Sequence, residues 1–297
     1  MRRLIALVAT AAVAPALTLA ATPATARSAP AAAAKAAPAT PKPVPGSPAD
    51  ALRLQFAKKS SVRVDEYTRM GIDGEDLFAY RQTGSLRFGK SGVDAYSLKT
   101  TLKGDAGDGD TTVRTVVIDG KMYLKSALYD ELLPAGRTWV RVAKAAPYSN
   151  SVDILQPKTL KALLATTKAE SPGGKVGGAR TTLLRGSIAL SALARTTPSL
   201  ASLATARKGP KIMVPWKLWV GGDRLPRRFQ TKISLPVGPG MGDVYIANDN
   251  RYASWGGKAV IAAPPADLVI DEKDLGEDLP VIPDLTTRIT GMATREN

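Results

Sequence analysis

The chain has 297 residues and a formal net charge of +15, and it contains neither histidine nor cysteine. It therefore lacks the commonest general base, the commonest zinc ligand and the thiol nucleophile, which excludes most designs of hydrolase and metalloenzyme. The adjacent carboxylates Asp65-Glu66 and Glu75-Asp76 remain as candidates for acid and base chemistry, but neighbours on a strand point to opposite faces. We predict a protein that is not an enzyme, with no cofactor and no metal site.

The first 26 residues have the pattern of a secretory signal peptide. Two arginines precede an apolar run from Leu4 to Ala20, and Ala24-Thr25-Ala26 supplies a small-residue cleavage site. The run is short for a membrane-spanning helix and contains Pro15, which disfavours the alternative of an uncleaved anchor. Because the chain has no cysteine that could carry a lipid, we expect a secreted protein, extracellular or in the cell envelope, without a lipid anchor.

The next segment, residues 27–48, consists almost entirely of Ala, Pro, Lys and Ser. Such a composition has no apolar face to bury, so the segment is predicted to be a disordered linker. A single domain is expected over residues 49–285, followed by a flexible tail at 286–297. Outside the cytoplasm, the basic charge suits anionic headgroups and cell-wall polymers, although the spread of Lys and Arg along the chain is also explained by solubility alone.

The domain is predicted to begin with a short helix, which Ser47 caps and Pro48 opens. Alternating apolar and polar residues then predict strands over 77–88, 96–103 and 138–142. Between them, Asp119-Gly120 predicts a two-residue hairpin turn. The acidic, glycine-rich run at 104–110 lacks the spacing of a calcium loop and is interpreted as a connector.

Later in the chain the periodicity changes. A helix is predicted from Pro157, ending within the glycine-rich run at 170–178, and a second, proline-interrupted helical region includes Leu193 and Leu200. A strand near 181–190 and three late strands around 216–220, 229–235 and 244–246 complete the domain. This order predicts an α+β fold: a large, curved antiparallel sheet, open rather than closed, with helices covering its concave face.

Three stretches resemble the LolA-like lipoprotein carrier superfamily, and are most similar to its actinobacterial LppX/LprG-type lipoproteins. They are VVIDGKMYLKSALYDELLPAGRTWVRV at 116–142, VPWKLWVGGDRLPRRFQTKIS at 214–234 and ASWGGKAVIAAPPADLVID at 253–271. The resemblance implies an open half-barrel whose helices enclose an apolar cavity, and a role in carrying acylated lipids or lipoproteins through the envelope. The lipidated cysteine usual in the actinobacterial members is missing, which places anchored shuttling in doubt.

The resemblance turns the concave face into a candidate ligand site. The apolar residues predicted to line it are Phe78, Tyr80, Leu86, Phe88, Tyr96, Leu98, Trp216, Leu218, Phe229 and Ile233, with Leu160, Leu163 and Leu164 under a helical lid. The alternative for each of them is an ordinary core position, because a covered sheet buries alternate residues with or without a ligand.

The expected function is therefore non-enzymatic binding of an acyl lipid or lipoprotein by an envelope carrier. The protein is expected to be a monomer, able to contact an anionic membrane surface, with no nucleic-acid partner. An envelope sensor or protein-interaction module without cargo is the main alternative, and a wall-associated structural protein is a third. A long apolar cavity favours the carrier, whereas a filled core with an exposed apolar patch favours the sensor.

Overall fold

The computed structural model describes residues 46–103, 110–143, 145–148, 150–197, 200–201, 204, 211–236 and 242–275. The predicted signal peptide, almost all of the predicted linker, most of the connector at 104–110 and the predicted tail lie outside these residues. So does the predicted domain end at residue 285.

The described chain forms one sheet of twelve strands. They are β1 (Ser61–Ile72), β2 (Glu75–Phe88), β3 (Val93–Leu102), β4 (Thr111–Ile118), β5 (Lys121–Ser126), β6 (Trp139–Val142), β7 (Thr167–Val176), β8 (Ala179–Ala189), β9 (Met213–Gly221), β10 (Pro226–Pro236), β11 (Asp243–Gly257) and β12 (Val269–Asp271). The order across the sheet is β12-β6-β5-β4-β3-β2-β1-β11-β10-β9-β8-β7, so β12 and β7 are its edges. All neighbours are antiparallel except β12 and β6, which are parallel.

Among the elements that the structure describes, three α-helices lie against one face of this sheet: α1 (Pro48–Ala57), α2 (Pro157–Leu164) and α3 (Leu190–Ala194). Residues as far apart in the sheet as Leu98 of β3 and Ile188 of β8 belong to the same buried cluster, together with Leu52 of α1 and Leu163 of α2. The cluster continues from strand to strand beneath the helices, and the predicted α+β fold with a large, open antiparallel sheet is confirmed.

Local sequence explains the best-predicted elements. The Ser47 side chain accepts a hydrogen bond from the Asp50 N–H at 3.2 Å, and Pro48 follows in the first turn of α1. At the predicted hairpin, β4 ends at Ile118 and β5 begins at Lys121. The two residues between them, Asp119 and Gly120, have φ values of 50° and 71°, as a type I′ turn requires.

Three strands were not predicted: β12, which is only three residues long, and β1 and β7, which were missed for separate physical reasons. In β1 the residues that face the helices include Glu66 and Thr68, so the apolar alternation that reveals a half-buried strand is absent. The prediction of a helix from Pro157 ending within residues 170–178 was wrong at its end, because α2 stops at Leu164 and β7 follows. Pro172 is tolerated in β7 because this strand is an edge, where one side of the backbone needs no partner.

The opposite face of the sheet, called here the outer face, is covered in part by the C-terminal chain. After β11 the chain crosses the outer face, where Ile261 packs on Ala95, Val116 and Tyr123 in a second buried cluster. It then forms β12 beside β6, where the Arg137 side chain donates to the Asp267 carbonyl at 2.6 Å. In the described residues, no helix is long and apolar enough to span a membrane.

Gly186 of β8 allows the end of α2 to approach the sheet. A Cβ at this position would lie 2.3 Å from the Thr166 carbonyl oxygen and 2.4 Å from the ring of Trp216. We expect Gly186→Ala to destabilise the protein by about 1–3 kcal/mol, since neither neighbour is free to move away. Gly222→Ala is the control, because nothing lies within 4 Å of its Cβ. Chemical denaturation measures both, and equal stability of the two variants would contradict the predicted close approach.

Candidate functional site

The helix-covered face brings most of the predicted lining residues together. One buried cluster contains Leu86, Phe88, Tyr96, Leu98, Leu160, Leu163, Trp216, Leu218, Phe229 and Ile233, and Leu164 packs against it half-buried. Tyr80 is also buried, and the half-buried ring of Phe78 lies 6.1 Å from it. These positions are hence buried as predicted, while their role in lining a ligand cavity stays a prediction.

The helical cover is held mainly by apolar contacts. The ring of Phe56 in α1 lies 5.0 Å from that of Phe88, which stacks on Trp255 at 5.9 Å. Trp216 donates from Nε1 to Thr166 Oγ1 at 3.1 Å, which ties the end of α2 to β9.

In the middle of this apolar face lies a buried group of polar side chains, called here the polar cluster. It was not predicted. Its members are Glu66 and Thr68 of β1, Asn248, Asn250 and Tyr252 of β11, and Tyr148, Asn150 and Asp153 of the chain between β6 and α2. Glu66 is directly opposite Asn250, and Thr68 is opposite Asn248. A signal in the sequence could have revealed it. In both strands every second residue faces inward, and the inward positions that follow Val64 and Ile246 are polar.

Hydrogen bonds link the strands of the cluster to the chain above them. The Tyr148 hydroxyl and the Asn150 Nδ2 both donate to Glu66 Oε1, the latter at 3.0 Å. Thr68 Oγ1 donates to Asn248 Oδ1 at 2.9 Å, and the Leu155 N–H donates to Asp153 Oδ1 at 3.0 Å. The cluster thus fixes residues 145–148 and 150–156 over the centre of the sheet.

Several buried atoms of the cluster have no hydrogen-bond partner among the described residues. They are the acceptors Glu66 Oε2, Asn150 Oδ1 and Asn250 Oδ1, the donor Asn248 Nδ2, and the Tyr252 hydroxyl. A buried polar group without a partner costs about 1–3 kcal/mol, so natural proteins pair nearly all of them. Part of this polarity is shared within the cluster, because the Tyr252 hydroxyl interacts with the side chains of Asn250 and Asn150. The remaining atoms are available to water or to polar atoms from outside the chain.

Burial also changes the acidity of the cluster. It raises the pKa of Glu66 to about 7, against the lowering effect of the hydrogen bonds from Tyr148 and Asn150. It raises the pKa of Asp153 to about 6. Burial and then the charge on Glu66 raise the pKa of Tyr148 and of Tyr252 well above the usual value. Neither carboxyl has an ion-pair partner among the described lysines and arginines.

Of the two carboxylate pairs singled out in the sequence, only the first is divided between two environments. Asp65 points to the outer face, where it pairs with Arg81 at 2.7 Å, while Glu66 is 1% exposed. Glu75 and Asp76 are exposed at the start of β2. In the residues that the structure describes, no group of three or more acidic side chains is arranged to hold a metal ion.

Residues 84–91, GSLRFGKS, match the Gly-x-x-x-x-Gly-Lys-Ser pattern of a phosphate-binding loop. The structure excludes that role. The first five residues belong to β2, and Gly89 begins the turn into β3, with its N–H donating to the Gly92 carbonyl at 2.7 Å. A phosphate loop needs a helix directly after it, whose N-terminus binds the anion, and here a strand follows.

A separate cleft of about 590 Å³ lies next to β12. Its lining includes Tyr123, Arg137, Arg141 and Asp271. Arg141 already forms a two-pronged ion pair with Asp271, and Arg137 donates to backbone carbonyls of the C-terminal chain. Tyr123 belongs to the outer cluster, so this cleft is distinct from the predicted site on the helix-covered face.

The chain matches no protein-family model and no curated protein. Among solved structures it is similar to LprF from Mycobacterium bovis, with 16% identity over 73% of this chain and 96% of that chain, at a TM-score of 0.41. It is also similar to the lipoprotein LppX of Mycobacterium tuberculosis, with 14% identity over 71% and 98% at a TM-score of 0.35. A LolA superfamily protein from Nitrosomonas europaea matches with 9% identity over 71% and 94%, at a TM-score of 0.23. The resemblance to this class of protein that the sequence indicated is therefore confirmed, as a similarity alone.

Glu66 gives the polar cluster a measurable pH dependence. Its pKa is raised from 4.5 to about 7 in the folded protein, so folding retains a proton that the unfolded chain loses. The contribution of Glu66 to the free energy of unfolding should fall by about 3 kcal/mol between pH 4.5 and pH 7. In Glu66→Gln this decrease is absent, so the variant gains stability relative to the wild type as the pH rises. Urea denaturation at pH 5, 6, 7 and 8 measures the difference.

Asp65→Asn is the matched control for that experiment. The hydrogen bond from Arg81 lowers the pKa of Asp65, so its stabilising effect is present at neutral pH and is lost as the pH falls. Between pH 5 and pH 8 Asp65 is ionised in the folded and in the unfolded protein, so the curve of Asp65→Asn should run parallel to that of the wild type, while the curve of Glu66→Gln should not. Parallel curves for the wild type and Glu66→Gln between pH 5 and pH 8 would show that Glu66 is ionised in both states.

Proposed function

We propose that the protein binds an acylated lipid, or the acyl chains of a lipoprotein, between the sheet and its helical cover, as a non-enzymatic carrier. The observation that carries the proposal is the polar cluster with its unpartnered buried atoms, enclosed by apolar side chains. A molecule with one apolar and one polar part fits both surroundings at once. A purely apolar ligand would leave the polar atoms unpaired.

The polar atoms also limit which end of a ligand enters the cluster. Three of the unpartnered atoms are acceptors, one of them on the buried carboxyl group of Glu66, and the buried carboxyl group of Asp153 belongs to the same cluster. A group with hydrogen-bond donors, such as a hydroxyl or an amide, satisfies the acceptors. A phosphate would meet like charge in a poorly solvated place, which is unfavourable.

Loading requires the cover to move. An acyl chain is as well solvated in a bilayer as in a protein, so a carrier gains no net hydrophobic energy by taking it up. When α1 and α2 separate from the sheet, they expose apolar surface. The ligand must bury a similar area of apolar surface to offset that cost. Contacts such as Phe56 with Phe88 are suited to this exchange, because they are apolar and not directional.

The remaining features of the proposal concern where the carrier works. It is exported through the predicted signal peptide to the envelope or beyond, without a lipid anchor, and acts as a monomer. It contacts anionic membrane surfaces and not nucleic acid. The absence of cysteine and histidine in the sequence supports both the missing anchor and the lack of catalysis.

Larger side chains on the helix-covered face should block the proposed site. Leu98 of β3 and Ile233 of β10 are buried on the helix-covered face, on opposite sides of the polar cluster. Leu98→Trp with Ile233→Trp should occupy the space for an acyl chain and reduce lipid uptake at least about tenfold, since a lost chain segment of two methylenes already weakens binding by that factor. Native mass spectrometry after incubation with lipid vesicles measures uptake.

Thr101→Trp with Lys232→Trp is the control, because these residues of the same strands are not on that face. Circular dichroism reports whether each variant folds. A wild type that stays free of lipid would refute the carrier and favour a sensor or interaction module. If Leu98→Trp with Ile233→Trp is unfolded while the control is folded, the covered face is a packed core and the proposal fails.

A further inference from the structure

Charged residues are arranged differently in two regions of the outer face. On β10, β11, β1 and β2, cations and anions are interleaved: Asp65 pairs with Arg81, and Asp249 pairs with Arg228. Over β3, β4 and β5 the adjacent outward charges are cations, and the acidic residue of these strands, Asp94, already pairs with Arg87 at one end of β3. This half of the outer face is therefore unbalanced, and a smaller group of two unpaired cations, Arg185 opposite Lys217, lies on β8 and β9.

The unbalanced half contains a basic row, made of Lys99, Arg114 and Lys125. Lys99 is directly opposite Arg114, and Arg114 is directly opposite Lys125. Among the described residues, none of the three has a carboxylate within ion-pair distance. Like charges directly opposite each other destabilise a sheet, so the row is a feature that folding alone does not favour.

The positions around the row supply hydrogen-bond donors and no negative charge. Thr83 is opposite Lys99, and Thr101 is opposite Thr112 in the next pair of outward residues. Hydroxyl groups and cations together form a surface that binds phosphate oxygens.

An exposed apolar segment crosses the outer face beside this row. Residues 259–265, AVIAAPP, contain no polar side chain and are called here the apolar strap. Ile261 holds the strap to the sheet, packed on Val116 and Tyr123, which are each two residues from a member of the basic row. Val260 points away and is 94% exposed, and Ala262, Ala263 and Pro265 are exposed as well.

We infer that the apolar strap and the basic row together form a docking site for an anionic membrane surface. The cations contact the phosphate groups of the lipids, and Val260 with the exposed part of the strap enters the interfacial region. An apolar patch bordered by cations is typical of peripheral membrane binding. The charge favours a bilayer that contains anionic lipid, and the strap favours a bilayer over a soluble polyanion, which offers nothing apolar to contact.

This docking site rests on the membrane contact proposed above and specifies which face of the protein makes that contact. The docking site is on the outer face, while the polar cluster and the helical cover are on the other. A protein docked through the strap therefore leaves its cover facing away from the bilayer, free to meet a second membrane or a partner. Docking and lipid uptake are then separate properties, which can be lost independently.

The test is sedimentation of the protein with vesicles of phosphatidylcholine containing 30% phosphatidylglycerol, and with vesicles of phosphatidylcholine alone. Lys99→Gln/Arg114→Gln/Lys125→Gln should weaken binding to the anionic vesicles about 100-fold, at roughly a factor of five for each cation. Val260→Asn should weaken it about tenfold, as expected for one buried valine side chain. Lys58→Gln/Lys161→Gln/Lys168→Gln, the control with the same change in charge, should bind like the wild type.

The result that overturns the inference is equal loss of binding in the control and in the basic-row variant, or equal binding of the wild type to both kinds of vesicle. Inorganic polyphosphate is the second probe. If the wild type binds it tightly and Val260→Asn does not weaken vesicle binding, the row recognises a soluble polyanion and the membrane site is refuted. Lipid uptake from detergent-dispersed monomers, measured in parallel, should be unchanged in the basic-row variant, so failure of docking and failure of the carrier proposal are told apart.

Discussion

An open sheet has two faces, and each must be covered or made hydrophilic; the rest of this structure follows from how the two are treated. On one face, the helices α1, α2 and α3, with residues 145–148 and 150–156, bury the strands beneath them. On the other, charged and hydroxyl side chains meet water, and the C-terminal chain buries only the apolar part over β3 to β5.

The polar cluster sits where the covered face would otherwise be most apolar. A carboxyl group in such a place either keeps its proton or is surrounded by hydrogen-bond donors. Glu66 combines the two: Tyr148 and Asn150 donate to one of its oxygens, and its pKa rises to about 7. The arrangement couples three parts of the chain, since β1, β11 and residues 145–148 and 150–156 all contribute. A change in the charge on Glu66 therefore alters how firmly those residues are held over the sheet.

Much of the fold could be predicted from the sequence, because its signals are local. The Asp119-Gly120 turn, the Ser47 cap and the alternation in β2, β3, β9 and β10 each depend on a few neighbouring residues. The missing strand β1 and the polar cluster could not be predicted in the same way. Glu66 and Asn250 are 184 positions apart, and only the pairing of β1 with β11 reveals that they face each other. Periodicity identifies which of the predicted lining residues are buried. It does not tell whether they enclose a ligand, because that depends on the volume between the sheet and its helical cover.

The two edges of the sheet have a consequence for behaviour at high concentration. β12 is three residues long, and β7 contains Pro172 beside two glycines, with an irregular register to its neighbour. Neither offers the long, regular row of backbone groups on which a strand from another molecule could be added. An open sheet is exposed to this kind of edge-to-edge polymerisation, and the short β12 and the irregular β7 disfavour it at both ends.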